Sequence, residues 1–184
     1  GAFAKAGIIQ GYFATEASEK AFANVTTEIE VGENAHLTLD KIQFENESSY
    51  HISTEQINQS KNSTFTLNTI TLNGGLVRNN LNINVNGENC TSNLNGAYIL
   101  KDKQHVDNHS TVDHRVANCQ SNELYKGVMD DKSTAVFNGK VYVRQDAQRI
   151  NAFQSNRNVL LSDSAAINSK PELEIYADDV KCSH

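Results

Sequence analysis

The stretch Gly32-Glu33-Asn34-Ala35-His36-Leu37-Thr38-Leu39 returns as Ser60-Lys61-Asn62-Ser63-Thr64-Phe65-Thr66-Leu67. An Asn three places in and a closing apolar-polar-apolar alternation recur at the same offsets. Further along, Cys90-Thr91-Ser92-Asn93 aligns with Cys119-Gln120-Ser121-Asn122, and then with Phe153-Gln154-Ser155-Asn156. This period, on the order of 30 residues, belongs to stacked solenoid coils, each of which buries its apolar face only against its neighbours. Sandwiches and barrels show turn signals at closer spacing, roughly 8–12 residues, without a recurring position-specific motif, so the repeat favours a parallel β-helix.

Local patterning agrees. Short runs alternate apolar with polar residues at Val25–Val31, Leu37–Leu39, Phe65–Leu72, Leu81–Val85, Val141–Val143 and Leu173–Ile175. Period two marks strands with one buried face. Asn makes up one residue in eight and Pro occurs once; Asn tolerates the left-handed backbone of sharp turns, so the bias reads as many tight corners. The only run of good helix formers is Ala14 to Asn24. The chain is therefore expected to be one all-β domain over residues 1–184, with six or so coils of two or three short strands each. Such a rod ends in unpaired sheet edges, which must be capped or given to a partner.

Composition excludes several function classes. With 16 Lys+Arg against 22 Asp+Glu and a net charge of −6, there is no basic footprint for nucleic acid or an anionic membrane. Apolar stretches of four or five residues cannot span a bilayer, and no leader resembles a signal peptide. The only Met is Met129, so the sequence reads as a fragment of a longer chain. Three widely spaced cysteines argue against a disulfide framework and for a reducing compartment, the cytoplasm. No nucleophile elbow, phosphate-binding glycine loop or Cys-x-x-Cys is present, and no residue is expected to be catalytic.

Three groups remain as candidates. His105, Asp107 and His109 share one face of an extended strand and form a metal-competent set, with His114 on the opposite parity; the bland reading is the polar outer face of one coil. Cys90, Cys119 and Phe153 fall at equivalent repeat positions and are expected to face the core, where Cys acts as a small hydrophobe. Cys182 and His184 put a thiol and an imidazole on one face, a soft donor pair for iron, zinc or a persulfide that needs further ligands from elsewhere.

The segments Gln104–His114, Asn122–Asp131, Ala135–Gln148, Asn156–Asp163 and above all Lys170–His184 (KPELEIYADDVKCSH) resemble the SufB/SufD family of the SUF iron–sulfur cluster assembly system, on its SufD side. Gly75–Ile83 is similar too, whereas Gly1 to Thr71 matches in style more than in letters. Where the SufB pattern has a His-Glu-Ala-Thr type string, this chain has Cys182-Ser183-His184. The resemblance implies a right-handed parallel β-helix core whose terminal helical parts are absent. It also implies a non-catalytic scaffold that pairs with a SufB-type paralogue, the SufC ATPase being gripped through a C-terminal helical segment beyond His184. A transient iron–sulfur cluster, or iron, is then expected at the partner interface beside His184 and Cys182, with none held tightly by the core alone. A homodimer of the isolated core through the vacant edge is a further expectation. The alternative, a secreted β-helix that binds or cleaves polysaccharide, would use the Asn-x-Ser/Thr triplets at Asn24 and Asn62 as glycan acceptors. It lacks the Trp residues that stack on sugars.

Overall fold

The computed structural model describes residues 1–15 and 20–184. Among them are thirteen strands and no helix: β1 (Lys5–Phe13), β2 (Ala21–Val31), β3 (His36–Phe44), β4 (Ser49–Gln59), β5 (Thr64–Asn73), β6 (Leu76–Val85), β7 (Thr91–Leu100), β8 (His105–His114), β9 (Gln120–Met129), β10 (Thr134–Val143), β11 (Ile150–Leu160), β12 (Ala166–Ile175) and β13 (Val180–Ser183). The odd strands form one seven-stranded sheet in the order β1-β3-β5-β7-β9-β11-β13, and the even strands a six-stranded sheet from β12 to β2. Every neighbouring pair is parallel. Two strands make one coil, so thirteen give six coils and the first strand of a seventh. This is the parallel β-helix that the repeat predicts.

Each coil carries two strands, not three, and most strands run nine to eleven residues. The centre of the helix-prone Ala14 to Asn24 run lies outside the described residues, and its last part, from Ala21, is strand β2. The β-branched and aromatic content there matches the pleat of β4 beside it, with Val25 opposite Ser53 and Ile29 opposite Ile57.

One corner accounts for part of the Asn bias, although 17 of the 23 Asn lie within strands. Asn34, Asn62, Asn89 and Asn118 all have φ near +60°, each one residue before a buried position at which the chain turns into an odd strand. Their amides also stack along the rod, Asn62 donating to Asn34 at 2.9 Å and Asn89 to Asn62 at 3.1 Å. Asp102 and Asp131 play the left-handed part at another corner. In both cases a short polar side chain makes the αL backbone accessible.

The first two repeat alignments hold in the structure, because His36 pairs with Thr64 and Thr91 with Gln120. The third is off by three residues. Asn151, not Gln154, pairs with Gln120, so Ile150 takes the position of Cys90 and Cys119. Ile150 is 1% exposed, whereas Phe153 points outward at 46%. The corner residue of that coil is Arg149, at φ 58°, in place of Asn. The letter match had no Asn to anchor it.

Inside the rod, leucine and isoleucine columns form the main apolar cluster: Leu39, Leu67 and Leu94 stack on successive odd strands, and Ile57, Ile83, Val112 and Val141 on successive even ones. Coils five and six interrupt the leucine column with Glu123 and Gln154. Tyr98 and Tyr125 fill the width of the rod by leaning over the glycines of neighbouring coils. A Cβ on Gly96 would meet the Tyr125 ring at 2.1 Å, and one on Gly127 the Tyr98 ring at 2.1 Å.

Candidate functional site

Sheet order makes β13 the last strand beside β11, with Ala152 opposite Cys182 and Phe153 opposite Ser183. Cys182 therefore continues the inward column Phe65, Ser92, Ser121, Ala152. It packs against the apolar cluster while remaining half-buried. Burial raises its thiol pKa above the ordinary value, opposed by a hydrogen bond with the Ala152 backbone. His184 follows one residue beyond the strand, on the parity of Cys182, and is exposed. The thiol packs against the core, and the imidazole, one residue beyond the strand, is exposed.

The His-rich segment is strand β8. His105, Asp107 and His109 do share its outer face, half-buried, and His114 is turned inward and buried. Each outer residue is engaged within the protein. His105 Nδ1 is 2.6 Å from Thr134 Oγ1 on the next coil. Arg78 Nη1 donates to Asp107 Oδ2 at 2.6 Å from the previous coil, and His109 Nε2 lies 2.7 Å from Asp107 Oδ1. Among the described residues no group of three or more His, Cys, Asp or Glu is assembled in metal-binding geometry. His114 Nε2 meets Ser121 Oγ at 3.0 Å inside the rod, and burial pushes its pKa down to about 4. Cys90 and Cys119 are buried as expected. A cavity of about 930 Å³ lies along a corner lined by Tyr50, His105 and Lys132; neither Cys182 nor His184 lines it.

Sequence reasoning missed a polar belt inside the solenoid. Lys41 Nζ is 1% exposed and donates to Glu55 Oε1 at 2.8 Å, Ser53 Oγ at 3.0 Å and Asn79 Oδ1 at 3.0 Å. An ammonium has three N–H groups, and all three are used. Burial lowers its pKa and the Glu55 carboxylate opposes that. Asn79 continues the belt by donating to Asn108 Oδ1 at 3.0 Å. Glu123 accepts from Ser110 at 2.6 Å, and burial raises its carboxyl to about 7. At the other end His51 Nδ1 lies 2.8 Å from Glu45 Oε2, with Tyr12 edge-on to the imidazole. The only signal in the sequence is a polar residue on the inward parity of a strand, and it appears only once register is known.

The family model for the SUF system FeS cluster assembly SufBD core domain matches residues 1–184. The chain belongs to the SufB/SufD family. An iron–sulfur cluster assembly SufBD family protein of Synechocystis sp. is 42% identical over 163 residues, covering 89% of this chain and 36% of the relative. The iron–sulfur cluster assembly protein SufD of Escherichia coli is 34% identical over 181 residues, covering 98% of this chain and 43% of the relative. The chloroplastic protein ABCI7 of Arabidopsis thaliana is 32% identical over 179 residues, covering 97% and 38%. The chain thus spans about two fifths of the length of these relatives. Among the described residues no helix is long and apolar enough to cross a membrane.

Proposed function

We propose that this β-helix is the core of a non-enzymatic scaffold subunit for iron–sulfur cluster assembly. It pairs with a SufB-type paralogue, and the nascent cluster forms between them beside His184 and Cys182. The observation that supports this reading is that Cys182 lies on β13, the terminal strand of its sheet, with the exposed His184 directly after it. The exposed imidazole offers a nitrogen ligand for iron, the cargo of the reaction, without moving the fold. The Cys182 thiol has to lose its proton to bind iron, and iron itself supplies the driving force, so capture there is coupled to proton release. Two donors leave the coordination shell unfinished, which is where the partner's side chains enter.

Pairing with the SufC ATPase is assigned to the parts of the full-length protein outside this core, and the reducing cytoplasm, or the chloroplast in plants, is its compartment. A core left alone pairs with a second copy through the vacant edge. The test is co-purification of the full-length protein with its SufB- and SufC-type partners, comparing wild type with His184→Ala. A complex that forms normally but lacks iron and sulfide supports the reading. Loss of the complex would make His184 an interface residue only, and wild-type complex with wild-type iron and sulfide would overturn the site.

A further inference from the structure

Cys90 and Cys119 do more than fill equivalent core positions. Each follows a left-handed Asn at the same corner of consecutive coils. The ladder that starts one residue later pairs Thr91 with Gln120, and Gln120 N donates to Cys90 O at 2.9 Å. In-register parallel neighbours stand about 4.8 Å apart at Cα, within the roughly 4.4–6.8 Å span of a disulfide. The Cys90 backbone N–H already points at Cys119 Sγ, 3.4 Å away. Closing the bond asks the two Cβ atoms to approach from about the 4.8 Å strand spacing to about 3.5–4.5 Å, and both cysteines lie just outside the strands.

The surroundings of the two sulfurs differ. Cys119 Sγ donates toward Ala117 O at 3.3 Å and Gly87 O at 3.4 Å and accepts from the Cys90 backbone N–H at 3.4 Å. Cys90 Sγ has the Ser63 hydroxyl at 3.5 Å and Ser60 O at 3.0 Å. The hydrogen bond between the two side chains lowers the pKa of Cys90 and raises that of Cys119. One sulfur is thereby set up as a nucleophile and the other as its resolving thiol. Both are covered, but Glu88 and Asn89 beside Cys90 are exposed, so a molecule the size of water has one corner residue to pass.

We propose that Cys90 and Cys119 form an oxidant-sensitive dithiol: a hydroperoxide oxidises Cys90, and Cys119 closes a disulfide across two coils. In the first step the Cys90 thiolate takes the distal oxygen of the hydroperoxide, the O–O bond breaks, and water or an alcohol leaves with a proton from solvent. In the second, Cys119 sulfur attacks Cys90 sulfur, the S–O bond breaks, and the departing hydroxide takes the Cys119 proton and leaves as water. Two thiols are oxidised and one hydroperoxide is reduced. Cys182, more exposed and with its pKa raised by burial, takes no part.

The experiment is peroxide treatment of the full-length protein followed by tryptic mapping. Cleavage places Cys90 in Asn79–Lys101, Cys119 in Val116–Lys126 and Cys182 in a third peptide. The expected product is the first two peptides linked, with the loss of two hydrogens and of two of this chain's three titratable thiols, reversed by dithiothreitol. Cys119→Ser should instead leave a dimedone-trappable sulfenic acid at Cys90, and Cys90→Ser should leave Cys119 unmodified. Oxidation confined to Cys182, over-oxidation of Cys90 without a link, or thiols that react only in denaturant would each overturn the proposal; the wild-type mapping decides it even if the variants misfold.

Discussion

Removing one partner of the buried Lys41–Glu55 pair should cost far more than removing both. At 2.8 Å two unit charges attract by about 6 kcal/mol at an effective dielectric of ~20. Desolvating two ions costs several kcal/mol each, so the pair as a whole adds little net stability. Lys41→Met is different, because it strands a carboxylate whose hydrogen bond comes from Lys41. The cheapest escape is to protonate it. For a carboxyl with an ordinary pKa of about 4.3 this costs about 1.4 kcal/mol per pH unit, or about 3.7 kcal/mol at pH 7. In a chain of this size that lowers Tm by roughly 7–15 °C. The double variant Lys41→Met/Glu55→Leu should recover most of the loss. Urea unfolding followed by circular dichroism, at pH 7.5 and pH 5, is the assay, and the Lys41→Met penalty should shrink by about 3 kcal/mol at the lower pH. A penalty under about 1 kcal/mol at pH 7.5, or one that does not change with pH, would refute the account of an ion pair held against desolvation.

Other expectations follow from the same interior. His114 has its pKa depressed from 6.5 to about 4, so the unfolded chain binds more protons between those values and the fold loses stability as pH falls through them. His114→Gln should flatten that part of the stability curve, which otherwise spans at most about 3 kcal/mol. Glu123 carries the opposite sign: its carboxyl is raised from 4.5 to about 7, so stability falls as pH rises through that window. Glu123→Gln should therefore stabilise the protein at pH 8 by roughly 1–3 kcal/mol and change nothing at pH 4; equal effects at both would disprove a buried acid. Gly127→Ala places a methyl against the Tyr98 ring and should cost about 1–3 kcal/mol, with Tyr98→Leu in the same chain relieving much of it in thermal melts.

The solenoid was written in the sequence because its cause is local and repeated. Asn at a left-handed corner, a small residue after it and an alternating strand recur at a fixed spacing, and each coil needs only its neighbour to bury that pattern. Where the local cause changed, the reading slipped: Arg149 holds the same corner conformation without being an Asn, and Phe153 was aligned where Ile150 belongs. The shared face of His105, Asp107 and His109 was legible from parity alone. What each side chain meets on that face was not. Arg78 and Thr134, which occupy Asp107 and His105, come from the coils before and after, some 29 residues away.

Period and corner chemistry, then, were set by the sequence itself, since φ preference and strand alternation act within a few residues. Tertiary structure alone decided the interior. Lys41 meets Glu55, Asn79 and Ser53 because register stacks four separate strand positions into one enclosed space, and enclosure is what turns an ordinary ion pair into a costly one to break. The same stacking brings Cys90 beside Cys119, each sulfur facing the preceding coil's backbone, and carries Cys182 to the end of an inward column that began several coils earlier.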